Sequence, residues 1–322
     1  MQVAIVGAGI AGLACADALS SAGLQVRLFD KGRGPGGRMS TRRMHTELGE
    51  ACFDHGAQYF TARDPEFAAV VERWHGLGIV ARWPEAHADA WVGVPGMNAV
   101  IRELARPHDV TFAAQVRSLF RGTDGWWLGL ATGDVGPFDA VIVAIPAEQA
   151  AALLSLHDFE MARIALRARS KPCWTGMFAF AEALETDLDV IRDRAMVAWA
   201  ARNSAKPGRS GPESWVVQAQ PTWSQANCEE DPQTIAPLLL ASLGEELDCI
   251  LPSPIAASAH RWRFAMSNGT GDTALWNPET SLGVCGDWLL GPRVEAGWLS
   301  GHRLGHQIAE STVSAQRRRR TA

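Results

Sequence analysis

Val3-Ala4-Ile5-Val6-Gly7-Ala8-Gly9-Ile10-Ala11-Gly12-Leu13-Ala14-Cys15-Ala16 is an apolar run that stops at glycine and restarts as an alanine-rich segment. Residues 2 to 6 have the length and composition of a buried strand, and Ile10 to Ala22 carry helical apolar spacing closed by Gly23. The GxGxxG spacing of Gly7, Gly9 and Gly12 therefore falls on a strand-to-helix turn. Gly7 permits the tight turn, Gly9 admits a diphosphate to the backbone, and Gly12 lets helix pack on strand. Free N–H groups at Ile10 and Ala11, with the helix dipole, favour that diphosphate. A second strand, Gln25 to Phe29, ends at Asp30, whose carboxylate is placed for ribose hydroxyls and disfavours a 2′-phosphate. Together these make a βαβ dinucleotide-binding start.

The segment after Asp30 bears on which dinucleotide. Lys31-Gly32-Arg33-Gly34-Pro35-Gly36-Gly37-Arg38-Met39 crowds glycines and cations into one loop, which suits a second backbone approach to a charged cofactor. The chain of 322 residues is 47% apolar, enough for one large core or two connected ones, and we expect two interleaved domains. A net charge of −5 gives no pull toward nucleic acid or an anionic membrane, so a small-molecule enzyme is the default. No apolar stretch has the length of a membrane span and no secretory pattern opens the chain, so a soluble, cytoplasmic protein is expected. Cys15, Cys52, Cys173, Cys228, Cys249 and Cys285 show no CxxC pair or metal spacing and read as reduced thiols, mostly buried.

Farther along, 115–121, 126–131 and 139–145 read as an antiparallel meander, while 173–181, 194–200, 214–220 and 254–264 read as strands and 232–248 as a helix. A strand at 282–285 and a helix from about 294 to 309 follow. The expected class is α/β (α+β): a Rossmann-type dinucleotide-binding domain from 1–60, 95–150 and 275–316, interleaved with a mixed-sheet substrate domain from 61–94 and 151–274. Arg317 to Arg320 read as part of a flexible basic tail over 317–322.

The Gly36-Gly37-Arg38 triplet resembles the FAD-dependent amine-oxidase superfamily, and that resemblance implies non-covalent FAD with Arg38 on its pyrophosphate side. Val284-Cys285-Gly286-Asp287-Trp288 looks like the superfamily's closing GD motif, its acid on the ribityl or pyrophosphate groups. The helix after Pro292 would aim its N-terminus at the flavin N1/O2 edge. Five further segments narrow the likeness: Asp54-His55-Gly56-Ala57-Gln58-Tyr59-Phe60-Thr61-Ala62-Arg63, Trp91-Val92-Gly93-Val94-Pro95-Gly96-Met97, Trp199-Ala200-Ala201-Arg202-Asn203-Ser204, Ala259-His260-Arg261-Trp262, and Gly286-Asp287-Trp288 with Arg293-Val294-Glu295. In this order they resemble the bacterial renalases, over about Val3 to Ile308.

That resemblance implies an oxidase taking hydride from the 2- or 6-dihydro isomers of NAD(P)H, with O₂ as the final acceptor and H₂O₂ as product. It implies Gln58 and Tyr59 at flavin and substrate, and His260, Trp262, Trp288 and Arg293 around the nicotinamide. Trp91, Gly93, Trp174 and Asn203 become candidate substrate contacts. On the cofactor it implies Lys31, Gly56, Ala57, Val116, Val294, Glu295 and Ala296 beside the glycines already named. Plain core packing is the alternative for Trp174 and Trp262, a structural histidine for His260, and an ion pair with Glu295 for Arg293. Ala296 departs from the family pattern, which carries glycine there, and adds a Cβ where backbone should approach the flavin.

A dihydronicotinamide becomes aromatic on losing hydride, so its oxidation needs stacking geometry and no base at carbon. Many amine oxidases of the superfamily use a lysine and a tyrosine cage, whereas this chain has lysines only at 31, 171 and 206 and one tyrosine, Tyr59. Oxidation of an amine or desaturation of a small substrate is the alternative. A non-catalytic FAD- or NAD-binding protein is a third reading, one that would need no aromatic pocket. A reductase with a second nucleotide domain is disfavoured, because no second strand-GxGxxG-helix appears.

Overall fold

The computed structural model describes residues 1–321, with side chains described through Thr312. The solvated tail expected at Arg317 to Arg320 thus falls on side chains outside the described residues. The chain divides into two compact units. The first comprises Met1–Gly37, Ile101–Ser170 and Ser267–Ala322, and the second comprises Arg38–Val100 and Lys171–Met266. Residues 38–60 and 95–100, expected in the cofactor domain, belong to the second unit. The reason lies in the Thr41–Thr46 and Gly49–Asp54 hairpin, whose Ala51 and Phe53 share a core with Met177, Ala179 and Val216.

The first unit is built on a six-stranded sheet. Gln2–Val6 lies between Gln25–Phe29 and Ala140–Val143 and is parallel to both. Asp109–Thr111 extends one side in parallel, Leu282–Val284 the other, and Leu275–Asn277 closes that edge antiparallel. The Ile10–Ser21 helix packs against the Val294–Thr321 helix, with glycine at each close approach. A Cβ on Gly301 would lie 1.9 Å from the Ala11 carbonyl oxygen, and one on Gly297 would lie 2.8 Å from Ile10 Cγ2.

The meander is real, but its third strand is Gly133–Phe138, not 139–145. Gly136 and Pro137 disguise that strand by interrupting its pattern at a register shift. Ala140–Val143 instead joins the parallel sheet, and its fully buried run of four is what a strand covered on both faces requires.

The second unit carries a five-stranded sheet, ordered Val190–Arg192, Val197–Arg202, Glu213–Ala219, Ser170–Phe180 and Ala256–Ser267. Its first three strands pair antiparallel, as does Glu213–Ala219 with Ser170–Phe180. The Pro232–Leu247 helix buries Ile235, Leu239 and Leu243 in the same core as Trp174, Phe178 and Trp215. All six cysteines are free, four of them buried.

Candidate active site

In the first unit, Gly7 has φ +105° and donates to the Phe29 carbonyl at 2.8 Å, so the turn leaves the sheet in a conformation L side chains avoid. A Cβ on Gly12 would stand 2.0 Å from Gly7 O, whereas one on Gly9 would meet nothing within 4 Å. Gly12 is thus fixed by packing, and Gly9 keeps a clear approach to the backbone. No side chain caps the Ile10–Ser21 helix, so its first-turn N–H groups suit a diphosphate. Asp30 accepts from Ala8 N at 2.7 Å and Gly32 N at 2.6 Å, tying the two glycine loops together. Its carboxylate has lone pairs to spare for hydroxyl groups. These residues fit the diphosphate and ribose of FAD. Lys31 is exposed and reaches Gln149 at 3.5 Å.

Several expected contacts in this unit have structural duties. Trp288 is 1% exposed, lies in the core and donates from Nε1 to Ile145 O at 3.1 Å, so it does not wall a pocket. Val116 lies in the same core. Gly286 N donates to the buried Ser300 hydroxyl at 2.9 Å, while Asp287 and Glu295 are buried. Arg293 is exposed, and its carbonyl accepts from Gly297 N at the start of the last helix. The departure at 296 has a packing explanation. Ala296 is accommodated as a buried residue, while the following position must be glycine because Ile10 leaves no room for a Cβ.

In the second unit, Arg38 and the segment Asp54–Tyr59 fold around one buried carboxylate. Asp54 Oδ1 accepts from Thr41 Oγ1 at 2.8 Å and Met97 N at 2.9 Å. Its Oδ2 accepts from Lys206 Nζ at 3.4 Å and from Arg209 Nη2. The side chains of Asp54 and Lys206 are wholly buried and that of Arg209 nearly so. Burial works to raise the Asp54 carboxyl, but Lys206 and Arg209 outweigh it and bring it to about 2. Burial pushes Lys206 down to about 8, with Asp54 opposing and Arg209 adding to the fall.

Gln58 belongs to this network. Its Oε1 accepts from Lys206 at 3.1 Å, and its Nε2 donates to the Asp54 and Gly56 carbonyls. The amide is committed to holding the turn. Asn203 likewise accepts from Asp54 N at 3.2 Å and donates to Cys52 O at 2.7 Å, which makes it a brace within the unit and not a substrate wall. Gly56 is a glycine because a Cβ would stand 2.0 Å from Arg38 O, and Ala57 N donates to that same oxygen at 2.9 Å. Gly93 is required in the same way by Gly96 O at 2.5 Å. Arg38 Nη1 donates to Ala265 O at 3.3 Å.

Beside this turn stand His55, His260 and Trp262. Their ring centroids lie 5.0 Å apart for His55 with His260, 5.0 Å for His55 with Trp262, and 4.5 Å for His260 with Trp262. Trp262 is half-buried and donates to His55 O at 2.7 Å. Burial, helped by Arg42, lowers His260 to about 4. Burial, His260 and Arg42 lower His55 to about 3. Both rings are neutral at neutral pH, forming an aromatic face without a base of ordinary strength.

Tyr59 packs on Trp199 at 5.3 Å, and Trp199 continues to Trp83 at 6.4 Å. Trp91 is buried under Arg82, whose guanidinium lies 3.8 Å from its ring centroid. Trp174 is fully buried and bonded to Asn227 O at 2.9 Å, as core packing requires.

Sequence reasoning brought together His260, Trp262 and the 54–59 turn, but missed Lys206, Arg209, Arg42 and Trp199 as neighbours of this site. It also used lysine scarcity to exclude a lysine from the chemistry, and the burial of Lys206 beside Gln58 removes that argument. The available signal was the rarity itself: one of three lysines sits in a Lys206-Pro207-Gly208-Arg209 turn. Among the described residues no group of three or more His, Cys, Asp or Glu could hold a metal, and no helix is long and apolar enough to cross a membrane.

Comparison with known proteins gives a consistent family picture. Residues 5–74 match an NAD(P)-binding Rossmann-like domain, and residues 84–272 match flavin containing amine oxidoreductase. The bifunctional protein MnmC of tRNA 5-methylaminomethyl-2-thiouridine biosynthesis from Magnetococcus marinus is 30% identical over 194 residues, covering 44% of this chain and 29% of that protein. Hydroxyneurosporene desaturase of Rubrivivax gelatinosus is 34% identical over 160 residues, covering 42% of this chain and 30% of that protein. The chain thus spans under a third of the length of these curated relatives. Cyclohexylamine oxidase from Brevibacterium oxydans superposes with a TM-score of 0.71 at 13% identity, covering 97% of this chain and 99% of that one, a likeness of fold. The cofactor is FAD, on a Rossmann-type domain of amine-oxidase-like fold.

Proposed function

The chain belongs to the flavin containing amine oxidoreductase family, and on that premise we propose that it is a renalase-like oxidase. It takes hydride from the 2- or 6-dihydro isomers of NAD(P)H and releases NAD(P)⁺, with O₂ and a proton converted to H₂O₂. FAD, when bound, supplies the two-electron acceptor that O₂ regenerates. Gly7, Gly9, Ile10, Ala11, Gly12 and Asp30 would hold its ADP half, and Gly37 its diphosphate. Gly286, Asp287, Val294, Glu295 and Ala296 complete the hold.

The observation that carries this reading is the neutral His55, His260 and Trp262 face. The half-buried Trp262 indole, met edge-on by the neutral His260 imidazole, suits a ring that must be stacked, and a ring that aromatises on losing hydride leaves no carbon-bound proton to be removed. His260 and Trp262 orient the ring, with Tyr59 a further contact. Gln58 acts by holding the 54–58 turn. Oxidation of a small amine is the second reading, favoured by the buried Lys206 with its lowered proton affinity.

Anaerobic mixing of the yellow protein with 2- and 6-dihydroNAD separates the two. Rapid loss of visible flavin absorbance with the dihydronicotinamides, followed on admitting air by one H₂O₂ per NAD⁺, is expected. Bleaching by cyclohexylamine or putrescine alone would replace this reading with amine oxidation.

A further inference from the structure

One cation beside the aromatic face has no part in the chemistry above. Arg42 stands opposite Phe53 in the Thr41–Asp54 hairpin, two residues short of His55 along the partner strand, and is half-buried, with its charge acting on both His55 and His260. Its neighbours have partners: Arg43 meets Glu50 at 3.5 Å, and Arg38 donates to Ala265 O. Among the described residues the Arg42 side chain makes no hydrogen bond and no ion pair.

A guanidinium so placed is an anion receptor. Its planar fork matches two phosphate oxygens, a neutral imidazole N–H of His260 can donate to a third, and Trp262 supplies a flat wall alongside. We propose that Arg42, with His260, recognises a phosphate or diphosphate of the substrate, so that the protein selects phosphorylated nicotinamide nucleotides over unphosphorylated dihydronicotinamides. The choice of nicotinamide rests on the function proposed above, whereas the anion site does not.

Two measurements test it. The first compares kcat/KM for 6-dihydroNAD and dihydronicotinamide mononucleotide with that for the matching riboside, in wild type, Arg42→Gln and Arg42→Lys. Loss of one charge-assisted contact should reduce the nucleotide-over-riboside preference about ten- to a hundredfold in Arg42→Gln, with Arg42→Lys between. An unchanged preference would overturn the inference. The second is calorimetric titration of the flavin-loaded protein with inorganic pyrophosphate, which requires no turnover. Binding that weakens at least tenfold in Arg42→Gln supports the anion site even if no dihydronicotinamide is oxidised, in which case the proposed function alone falls. Equal binding by wild type and variant would sink the anion site while leaving the oxidase reading intact.

Discussion

Asp54 is a carboxylate with no exposed atom, held between Lys206 and Arg209, so its removal leaves two buried cations against each other. Asp54→Asn should cost about 3–5 kcal/mol in urea denaturation at neutral pH, because an uncompensated buried charge is worse than none. The same network sets an acid limit. With Asp54 lowered from 3.8 to about 2 on folding, its contribution is full above about pH 4 and is lost as pH falls through about 2. His55 and His260 act higher, since the unfolded chain takes up protons near 6.5 that the folded one refuses until about 3 and 4. Stability should therefore begin to fall below pH 6.5, and His260→Asn should flatten that first decline in denaturation midpoints measured across pH. None of this was legible at residue level, because Lys206 is of a residue type that usually stays in water and its partners Asp54 and Gln58 lie 152 and 148 positions away. The motif containing Gln58 was readable, but not the commitment of its amide to the turn.

At the scale of elements, the glycine face of the Val294–Thr321 helix decides how closely it meets the Ile10–Ser21 helix. Gly305 repeats the constraint, with a Cβ placed 2.6 Å from that of Ala18. Gly301→Val should destabilise the protein by about 1–3 kcal/mol or more, since backbone would have to retreat from Ala11. The drop should appear as a lower thermal midpoint with less flavin retained after gel filtration. The opening βαβ unit was legible because strand, turn, helix and acid are consecutive. Ala140–Val143 was misread because its local pattern fits a meander as well as a parallel strand, and its neighbour Gln2–Val6 is remote in sequence. The hairpin at 41–54 escaped notice because half-buried, charged strands such as Thr41–Thr46 alternate weakly.

For the whole molecule, the architecture was readable as a class and its domain edges were not, since a boundary depends on which core a segment joins. Removing FAD should lower the thermal midpoint, and adding it back should restore the midpoint progressively, with about 2.7 kcal/mol regained at a hundredfold excess over Kd. A midpoint indifferent to FAD across a titration would contradict the cofactor's role in holding the fold. The sheet order has a further consequence during synthesis. The nucleotide-binding turn is synthesised well before the strand Leu282–Val284 and the glycine-faced helix that cover that turn's own helix and sheet. The opening βαβ unit must wait on the ribosome with its apolar faces uncovered, so chaperone engagement early in translation, and not only flavin supply, should govern how much of this protein reaches its native state.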